Sequence, residues 1–292
     1  MYSLKSKIVV IGAGKISYSL VSALKKSGFN ISTVISKKKT SAKKLSEKFK
    51  IKIFSDNLAD IPDDCRICFL TVPDTELKNL AKEISKLKLD FSDSLFIHMS
   101  GAEDISVLKF LEKKKAVVAS IHIMQSFPSK NVVKIQNCYA AIETKNKKTE
   151  KFLFSVAKKI KLNPFRLKSE NKIFYHLAGV YSSNFLVANL YNTNNLFKKV
   201  GTPAINPDEL FAPIINCTVN NVKKSGVTKA LSGPVERGDI DTVKRHVKVL
   251  RSDRILKENY IRQSLTLIEL IRKRDKKLSQ RHRDLEKYLK SL

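Results

Sequence analysis

Glycine and proline are scarce in this sequence, with 9 and 8 copies among 292 residues. That scarcity excludes collagenous and linker-rich chains. A membrane-spanning helix needs about 20 apolar residues, and no apolar run in this sequence is nearly that long. We therefore do not expect an integral membrane protein. The N-terminal MYSLKSK lacks the apolar core of a signal peptide, which makes the cytoplasm the expected compartment. The remaining composition, 42% hydrophobic and 28% charged, is typical of a globular protein with a buried core.

Acidic residues are also few, with 27 Asp and Glu against 56 Lys and Arg, so the formal net charge is +29. Such a charge suggests a nucleic-acid-binding protein. Lysine, however, supplies 45 of the 56 basic residues, and the lysines are spread along the whole chain. We therefore expect no specific nucleic-acid partner, but a salt-sensitive attraction to polyanions that include phosphorylated cofactors.

Cysteine occurs four times, at Cys65, Cys68, Cys138 and Cys217. The first two form a C-x-x-C pair within the apolar run CRICFLTV, which predicts a buried strand. Because residues three apart on a strand point to opposite faces, the pair is not expected to share a metal or to close a redox ring. The sequence therefore predicts buried thiols in a reducing compartment and no metal site.

The first half of the chain alternates β-branched runs with helical stretches, a pattern typical of βαβ units and a parallel sheet. The predicted strands are residues 8–11, 31–35, 51–54, 67–72, 95–99, 117–121 and 139–142. The predicted helices between them are residues 17–26, 41–48, 76–86, 105–113 and 149–159.

The strand signal stops near Pro164, and helices are predicted at residues 171–199, 207–224, 242–250 and 256–273. The charged tail after them is predicted to be a solvated helix with Leu285, Tyr288 and Leu289 as its apolar stripe. We therefore predict an α/β fold in which a Rossmann-like parallel-sheet domain, residues 1–165, is followed by an all-α C-terminal domain, residues 166–292.

A glycine-rich motif directly follows the first predicted strand, with Gly12, Gly14 and Ser17 at the three positions of a dinucleotide-binding fingerprint. The first position serves a tight turn, the second lets the main chain approach a pyrophosphate, and the third must be small. The pyrophosphate would lie on free N–H groups at the helix N-terminus, where Lys15 and Ile16 stand. A purely structural glycine turn is the alternative.

The end of the second strand distinguishes between nucleotides, because NAD enzymes usually carry Asp or Glu there for the ribose hydroxyls. Here Ser36 and Lys37 follow the strand, and they can accept a 2′-phosphate that a carboxylate would repel. The sequence thus favours NADP, with NAD as the alternative. Val72 and Pro73, at the end of the fourth strand, complete the expected cofactor site.

Polar and turn residues also follow the fifth and sixth predicted strands, at the sheet edge where ligands bind in doubly wound folds. They are His98, Ser100, Gly101, His122 and Gln125. These residues either lie beside the nicotinamide or only cap the loops in which they occur, and the sequence leaves both interpretations open.

Two further groups lie in the helical half. His176 and Ser183 are two turns apart on one face of the predicted helix 171–199, beside Asn184, and they are either satisfied core groups or a functional cluster. Arg237 lies in a Gly/Pro loop before another helix, where the loop either binds an anion or only caps the helix.

Six motifs occur in order: IGAGKIS, FLTVPD, HMSGA, SIHIMQSF, YHLAGVYSSNFL and ALSGPVERGD. Over nearly the whole chain to near Ile271, the sequence resembles bacterial two-domain proteins with a Rossmann-like half and a C-terminal domain of unknown function 2520. That family is similar in layout to pyrroline-5-carboxylate reductase, ketopantoate reductase and the 6-phosphogluconate or β-hydroxyacid dehydrogenases. The resemblance implies NAD(P) binding, a homodimer formed through the helical domain, and a cleft for a small-molecule substrate.

One position departs from the β-hydroxyacid dehydrogenases, which use a Lys four residues before an Asn on the first long helix of the second domain. If Asn184 matches that Asn, the Lys position holds Val180, so the proton donor must differ. His176, His98 and His122 are the candidates, unless the protein binds its cofactor without turnover.

The sequence therefore predicts an NADP-dependent reductase or dehydrogenase that acts on a carbonyl or imine of a small anionic substrate. His176 would move the proton, Ser100 and Asn184 would orient the substrate, and Arg237 would hold its carboxylate, with His98, Gly101, His122, Gln125 and Ser183 as further substrate contacts. A non-catalytic dinucleotide-binding or regulatory protein is the alternative.

Overall fold

The computed structural model describes residues 3–292 and gathers eight strands into one sheet. The strands are β1 (Ile8–Ile11), β2 (Ile31–Ile35), β3 (Ile53–Ser55), β4 (Ile67–Leu70), β5 (Leu95–His98), β6 (Val117–Ile123), β7 (Tyr139–Glu143) and β8 (Asn163–Arg166). Their order across the sheet is β3-β2-β1-β4-β5-β6-β7-β8, and β1 to β6 are all parallel. The first six strands thus have the order of a dinucleotide-binding fold, and the predicted α/β class is confirmed.

Burial explains which strands were visible in the sequence. All residues of β1, β4 and β5 are buried, as expected for parallel strands that are covered on both faces and form continuous apolar runs.

Strand β8 was missed because its sequence, NPFR, contains a proline and is only partly buried at the edge of the sheet, where proline is tolerated. The sheet is mainly parallel, as predicted, and departs from that pattern at β7, which runs antiparallel to β6. No helix joins these two strands along the described chain, and an antiparallel pair needs no crossover.

The helices of the sheet-containing half are α1 (Lys15–Lys26), α2 (Lys39–Phe49), α3 (Asp74–Ile84), α4 (Lys109–Glu112), α5 (Lys147–Lys159) and α6 (Lys172–Ser182). The predicted helix 105–113 is instead a 3-10 turn, Ile105–Leu108, followed by the short α4. The predicted long helix 171–199 is interrupted at Ser183, whose backbone angles of φ −123° and ψ −61° end α6 before α7 (Asn184–Lys198) begins.

The chain divides into two compact units, Met1–Phe185 and Leu186–Leu292. From the sequence we placed the domain boundary at residue 165, where the strand signal ends. The first unit extends 20 residues further because α6 is fastened to the sheet by Lys172, which is buried against β6 and β7.

The second unit is entirely helical along its described length and continues with α8 (Pro207–Ser225), α9 (Val227–Ala230), α10 (Ile240–Val249), α11 (Arg254–Asp275) and α12 (Gln280–Lys290). Its core is formed by α10, α11 and α12, with Val243, Ile268 and Ile271 buried. The prediction of a solvated tail was wrong for the apolar stripe, since Leu285 and Leu289 of α12 are also buried in this core. Only the charged face of α12 is exposed, as in other amphipathic helices.

Two helices of the second unit lack a buried face. Within the described residues 184–225, no side chain of α7 or α8 is buried. Val187, Tyr191 and Ile214 are each about two-thirds exposed. Large apolar side chains are therefore exposed on both helices.

The C-x-x-C pair differs from the prediction. Cys65 lies on the turn before β4 rather than on the strand, so its side chain is free to turn toward Cys68, and the two sulfur atoms are 3.5 Å apart. The argument that the two thiols point to opposite faces is therefore wrong. Both thiols are buried and free, as predicted, and the hydrogen bond between them lowers the pKa of Cys65 and raises that of Cys68.

Candidate functional site

The turn between β1 and α1 requires glycine at its first position. Gly12 has a φ of +114°, and a Cβ atom there would lie 2.6 Å from the carbonyl carbon and oxygen of Thr71. A side chain is therefore excluded by both conformation and space. Gly14 has ordinary extended angles, φ −80° and ψ −170°, and a Cβ there would meet only the Thr71 carbonyl oxygen, at 3.4 Å.

Two buried hydroxyl groups hold this turn in place. Ser17 Oγ lies 3.0 Å from the carbonyl oxygen of Gly12 and 2.9 Å from Thr71 Oγ1. Thr71 Oγ1 lies 2.9 Å from the same carbonyl oxygen. The Ser17 hydroxyl thus stabilises the turn itself and does not face the cleft. Thr71 was missed as a site residue, although a polar residue directly after the apolar run of β4 was its signal in the sequence.

The N-terminus of α1 is open to an anion. Its N-cap is Gly14, no side chain among the described residues caps it, and its first turn, which contains Lys15 and Ile16, holds no acidic residue. The first N–H groups of a helix have no partner within the helix and carry a partial positive charge. They form a binding site for phosphate.

A cleft of about 710 Å³ runs along the carboxyl ends of β1, β2 and β4. The predicted cofactor residues on its wall are Gly12, Gly14, Ser36, Lys37, Val72 and Pro73. The side chains of Lys15, Ile16 and Ser17 lie outside this lining. The lining also contains three acidic residues that were not among the predicted site residues, Asp56, Glu76 and Glu83.

Ser36, Lys37, Lys38 and Ser41 line the end of the cleft beside β2. The Lys37 ammonium group forms an ion pair with the Glu76 carboxylate of α3, which raises the pKa of this exposed lysine. The pair is on the surface, where such contacts are weak, so Lys37 is available to a stronger anionic partner such as a phosphate.

A second cavity, of about 330 Å³, lies at the carboxyl end of β6 beside α6. It brings together five predicted residues: His122, Gln125, His176, Ser183 and Asn184. Its remaining lining is apolar or uncharged and includes Met124, Ser126, Gly179, Val180 and Ser182. His122 and Gln125 are more than 50 positions from the other three in the sequence. The two groups meet in this cavity because α6 packs beside β6.

His122 is held on two sides. Its Nδ1 atom shares a 2.8 Å hydrogen bond with the hydroxyl of Tyr175, which the sequence analysis did not assign to the site. A Cβ on Gly101 would lie 2.7 Å from the Nε2 atom of His122, so glycine at position 101 leaves the space that the ring occupies. Burial, the charge of Lys172 and that of His176 lower the pKa of His122 to about 4, and burial raises the pKa of Tyr175 to about 12.

His98 and Ser100 lie in the interior and line neither cavity. His98 is fully buried, its Nδ1 accepts a hydrogen bond from the Ser100 N–H at 3.3 Å, and burial followed by the nearby charge of Lys172 holds its pKa well below the usual range. Ser100 Oγ accepts hydrogen bonds from the N–H groups of Ala102 and Glu103, at 3.1 and 2.9 Å. Loop capping therefore accounts for the Ser100 hydroxyl, and the His98 imidazole has no surface exposed to either cavity.

Arg237 lies in the second unit, exposed on the loop before α10. It lines a cavity of about 380 Å³ in which Arg281 is the other cation and Asp239 and Asp241 are the anions. Asp239 caps α10 by accepting a hydrogen bond from Thr242 N–H. Of the two roles predicted for this loop, helix capping is therefore performed by Asp239.

Neither a metal site nor a membrane span is evident in the described chain. Residues 3–292 contain no group of three or more His, Cys, Asp and Glu side chains that could hold a metal ion. Over the same residues, each helix is too short or too polar to cross a bilayer.

Two family models match the sequence. A Rossmann-like domain matches residues 2–123, and a domain of unknown function, DUF2520, matches residues 138–266. The two matches follow one another along the chain, first a Rossmann-like region and then a region similar to DUF2520. This is the organisation that the six motifs predicted, and the DUF2520 match begins just before β7, so it includes the last two strands of the sheet.

Solved structures show the same fold. A candidate NADP oxidoreductase from Bacteroides fragilis is 24% identical with a TM-score of 0.77, over 90% of this chain and 98% of that chain. A 1-pyrroline-5-carboxylate reductase from Streptococcus pyogenes is 12% identical with a TM-score of 0.62, over 91% of this chain and 99% of that chain. A reductive aminase from Aspergillus terreus, in complex with NADPH and ethyl-5-oxohexanoate, is 10% identical with a TM-score of 0.61, over 98% and 93%. No curated protein sequence matches the chain significantly.

Proposed function

We propose that the protein is an NADP-dependent oxidoreductase that transfers hydride between a nicotinamide and a carbonyl or imine carbon of a small anionic substrate. The observation that carries the proposal is the cradle at Gly12 and Gly14, where main-chain N–H groups at the start of α1 border a large cleft and any Cβ at Gly12 would collide with Thr71. Such a turn fits a pyrophosphate. The fold shared with a candidate NADP oxidoreductase and with an aminase bound to NADPH supports the same cofactor class.

The preference for NADP over NAD rests on the end of β2. Ser36 and Lys37 stand where a ribose-binding carboxylate would be expected, and Lys38 and Ser41 line the same end of the cleft. These residues would hold the 2′-phosphate through charge-assisted hydrogen bonds. The neighbouring Glu76 would lose its ion pair with Lys37 when the nucleotide binds.

Bound NADPH would supply the hydride, and the cavity at the end of β6 contains the groups that would act on the substrate. His176 lines that cavity and is the histidine to which we assign the proton transfer. His122 is neutral at pH 7 and held by Tyr175, which suits it to orienting a substrate oxygen or nitrogen. Asn184 and Ser183 would provide further hydrogen bonds, and the assignment of a substrate carboxylate to Arg237 remains a prediction.

We also propose that the protein is a homodimer. In the first unit, α6 exposes Phe174 and Tyr181, at 71% and 65% of their surface, and in the second unit α7 exposes Tyr191 at 66%. Large apolar side chains at this exposure are typical of surfaces that are covered in an assembly. Sedimentation equilibrium at several protein concentrations would test the proposal, and a strictly monomeric protein at micromolar concentration would refute it.

The decisive experiment is a fluorescence titration with NADPH and with NADH, followed by a turnover screen. Saturable NADPH binding that is tighter than NADH binding, with NADPH oxidation by a keto or imino acid, is the expected result. Tight binding without oxidation of NADPH by any member of the screen would favour a non-catalytic nucleotide-binding protein. Absence of nucleotide binding would refute the proposed function.

His176→Asn tests the assigned proton-transfer residue. The variant is expected to lower kcat by about 100-fold, the size of a typical general acid–base contribution, with the Kd for NADPH unchanged. His246→Asn is the matched control, since His246 lies on α10 in the second unit and shares a hydrogen bond with Tyr260. Equal kcat values for the two variants would remove His176 from the mechanism.

A further inference from the structure

The first unit contains an ion pair that is almost fully removed from solvent. The side chains of Lys172 and Glu143 are 2% and 4% exposed, and Lys172 Nζ lies 2.7 Å from Glu143 Oε2. Lys172 Nζ also donates a hydrogen bond of 2.6 Å to Ser120 Oγ. Burying two charges is offset only when their attraction is joined by further hydrogen bonds, so the surroundings of this pair decide what it does.

The carboxylate of Glu143 is fully engaged. Its Oε1 accepts hydrogen bonds from the Ile105 N–H at 3.1 Å and from Ser169 Oγ at 2.7 Å. Its Oε2 accepts a further hydrogen bond from Ser120 Oγ at 3.1 Å. The Glu143 carboxylate on β7 is thus bonded to β6, to the turn before α4 and to the turn before α6. Its ion pair with Lys172, the first residue of α6, connects it to that helix as well.

Helix α6 runs along β6 from this point. Lys172 contacts Ser120, and Tyr175, about one turn later, bonds to His122. A Cβ on Gly179, a further turn along, would lie 3.3 Å from Met124 Sδ, at the end of β6. The anchored end of α6 therefore determines where its later residues lie in the cavity.

We propose that Lys172 and Glu143 are positioning residues of the candidate substrate site, whose ion pair fixes α6 along β6 and keeps the Lys172 ammonium group behind His122. The cavity is lined by His122 and by residues of α6, so a shift of this helix would change the site directly. The contribution to turnover rests on the proposed function, whereas the effect on His122 does not.

The charge of Lys172 acts on His122 together with several other groups. The titratable and charged side chains that act on His122 are His98 on β5 and Lys172, Tyr175 and His176 on α6, and Glu143 on β7 is paired with Lys172. Burial is the largest cause of the low pKa of His122, and Lys172 is the next. A neutral ring keeps one nitrogen as an acceptor and one as a donor, which a protonated ring could not do.

The experiment follows the imidazole of His122 by NMR as pH is varied, without any nucleotide. The chain has 5 histidines, so the resonance can be assigned with a His122→Asn variant. Lys172→Met is expected to raise the pKa of His122 from about 4 to about 5, because it removes a cation and leaves a carboxylate. Burial lowers the pKa of Lys172, but Asp104 and Asp74 still raise it when Glu143 is removed, so Lys172 is expected to stay protonated. Glu143→Gln is therefore expected to lower the pKa of His122, because the Lys172 charge is then no longer compensated by Glu143.

The opposite directions of the two shifts separate positioning by charge from simple structural support. If the pair served only to hold the fold, either substitution would loosen α6, expose His122 and raise its pKa toward 6.5. Two upward shifts, or no shift with Lys172→Met, would overturn the proposal. Lys145→Met is the control, because Lys145 forms an exposed ion pair with Glu112 and its loss is expected to leave His122 unchanged.

The double variant Lys172→Met/Glu143→Gln covers the case in which a single variant does not fold. It leaves no unpaired charge, and it is expected to fold and to raise the pKa of His122 by less than Lys172→Met does. An unchanged pKa in the double variant would also overturn the proposal. Once turnover is established, the same variant is expected to lower kcat by about 10-fold with an unchanged Kd for NADPH, because the ion pair lies outside the dinucleotide cleft.

Discussion

Replacing Gly14 by alanine tests the phosphate cradle without disturbing the fold. The backbone angles at Gly14 are available to any residue, and the added Cβ would touch only the Thr71 carbonyl oxygen, at 3.4 Å. We therefore expect the free energy of unfolding of the unliganded variant to change by less than about 0.5 kcal/mol. The same methyl group would stand at the N-terminus of α1, where a pyrophosphate must approach the main chain.

The expected loss of affinity follows from the contact that is blocked. A hydrogen bond from a main-chain N–H to a charged phosphate oxygen contributes about 1.5–3 kcal/mol, so the loss of one such bond weakens the Kd for NADPH by about 10- to 100-fold. Fluorescence titration measures the Kd, and urea unfolding without nucleotide measures the stability.

Gly28→Ala is the matched control. Gly28 follows the other end of α1 and, unlike Gly14, has a positive φ of +78°; a Cβ there has open space, and Gly28 does not line the cleft. This variant is expected to lose about 1 kcal/mol of stability through backbone strain and to bind NADPH normally. If Gly14→Ala bound NADPH as well as the unsubstituted protein, the cradle would not be the nucleotide site.

Three other outcomes are expected. Lys37→Ala should weaken NADPH binding about 10-fold and leave NADH binding unchanged. Lys39 does not line the cleft, so Lys39→Ala is the control. Equal losses of affinity for both nucleotides in Lys37→Ala would contradict a 2′-phosphate contact. Leu285→Ala should lower the free energy of unfolding by about 2–5 kcal/mol in urea titrations, whereas the half-exposed Leu292→Ala should not, and similar values would mean that α12 is not part of the core. Since the pKa of His122 is about 4 in the folded protein and 6.5 in the unfolded chain, the unfolded chain binds more protons between these values. Acidification from pH 6.5 to 4 should therefore lower the free energy of unfolding by on the order of 3 kcal/mol through this group, and His122→Asn should show a shallower pH dependence.

The sheet could be predicted because its buried strands have a strong local signal. Runs such as IVVI and ICFL are continuous and apolar, and a glycine motif directly after the first of them marks the cofactor edge. Strand β8 gave no such signal, because pairing with β7 determines its conformation and its own residues include a proline.

The candidate substrate residues were predicted with less success, because their environment depends on long-range packing. Nothing local distinguishes His98 from His122, since each occurs near the end of an apolar strand. The structure separates them: His98 is fully buried, whereas His122 borders a cavity. Tyr175 could not be assigned from the sequence, because its role depends on α6 lying beside β6.

The contact between the two cysteines could not be predicted either, because Cys65 lies just outside a strand, which lets its sulfur approach that of Cys68.

The hydroxyl groups of Ser17 and Thr71 have a consequence for the kinetics of nucleotide exchange. They hold the carbonyl of Gly12 before any ligand arrives, so the loop already has its binding shape and needs no ordering on encounter. Capture should therefore proceed at a rate set by diffusion and by the surrounding lysines, and residence time should depend on the 2′-phosphate end of the cleft. In the proposed reaction, a binding loop held in this way would exchange oxidised for reduced coenzyme without a folding step in the cycle.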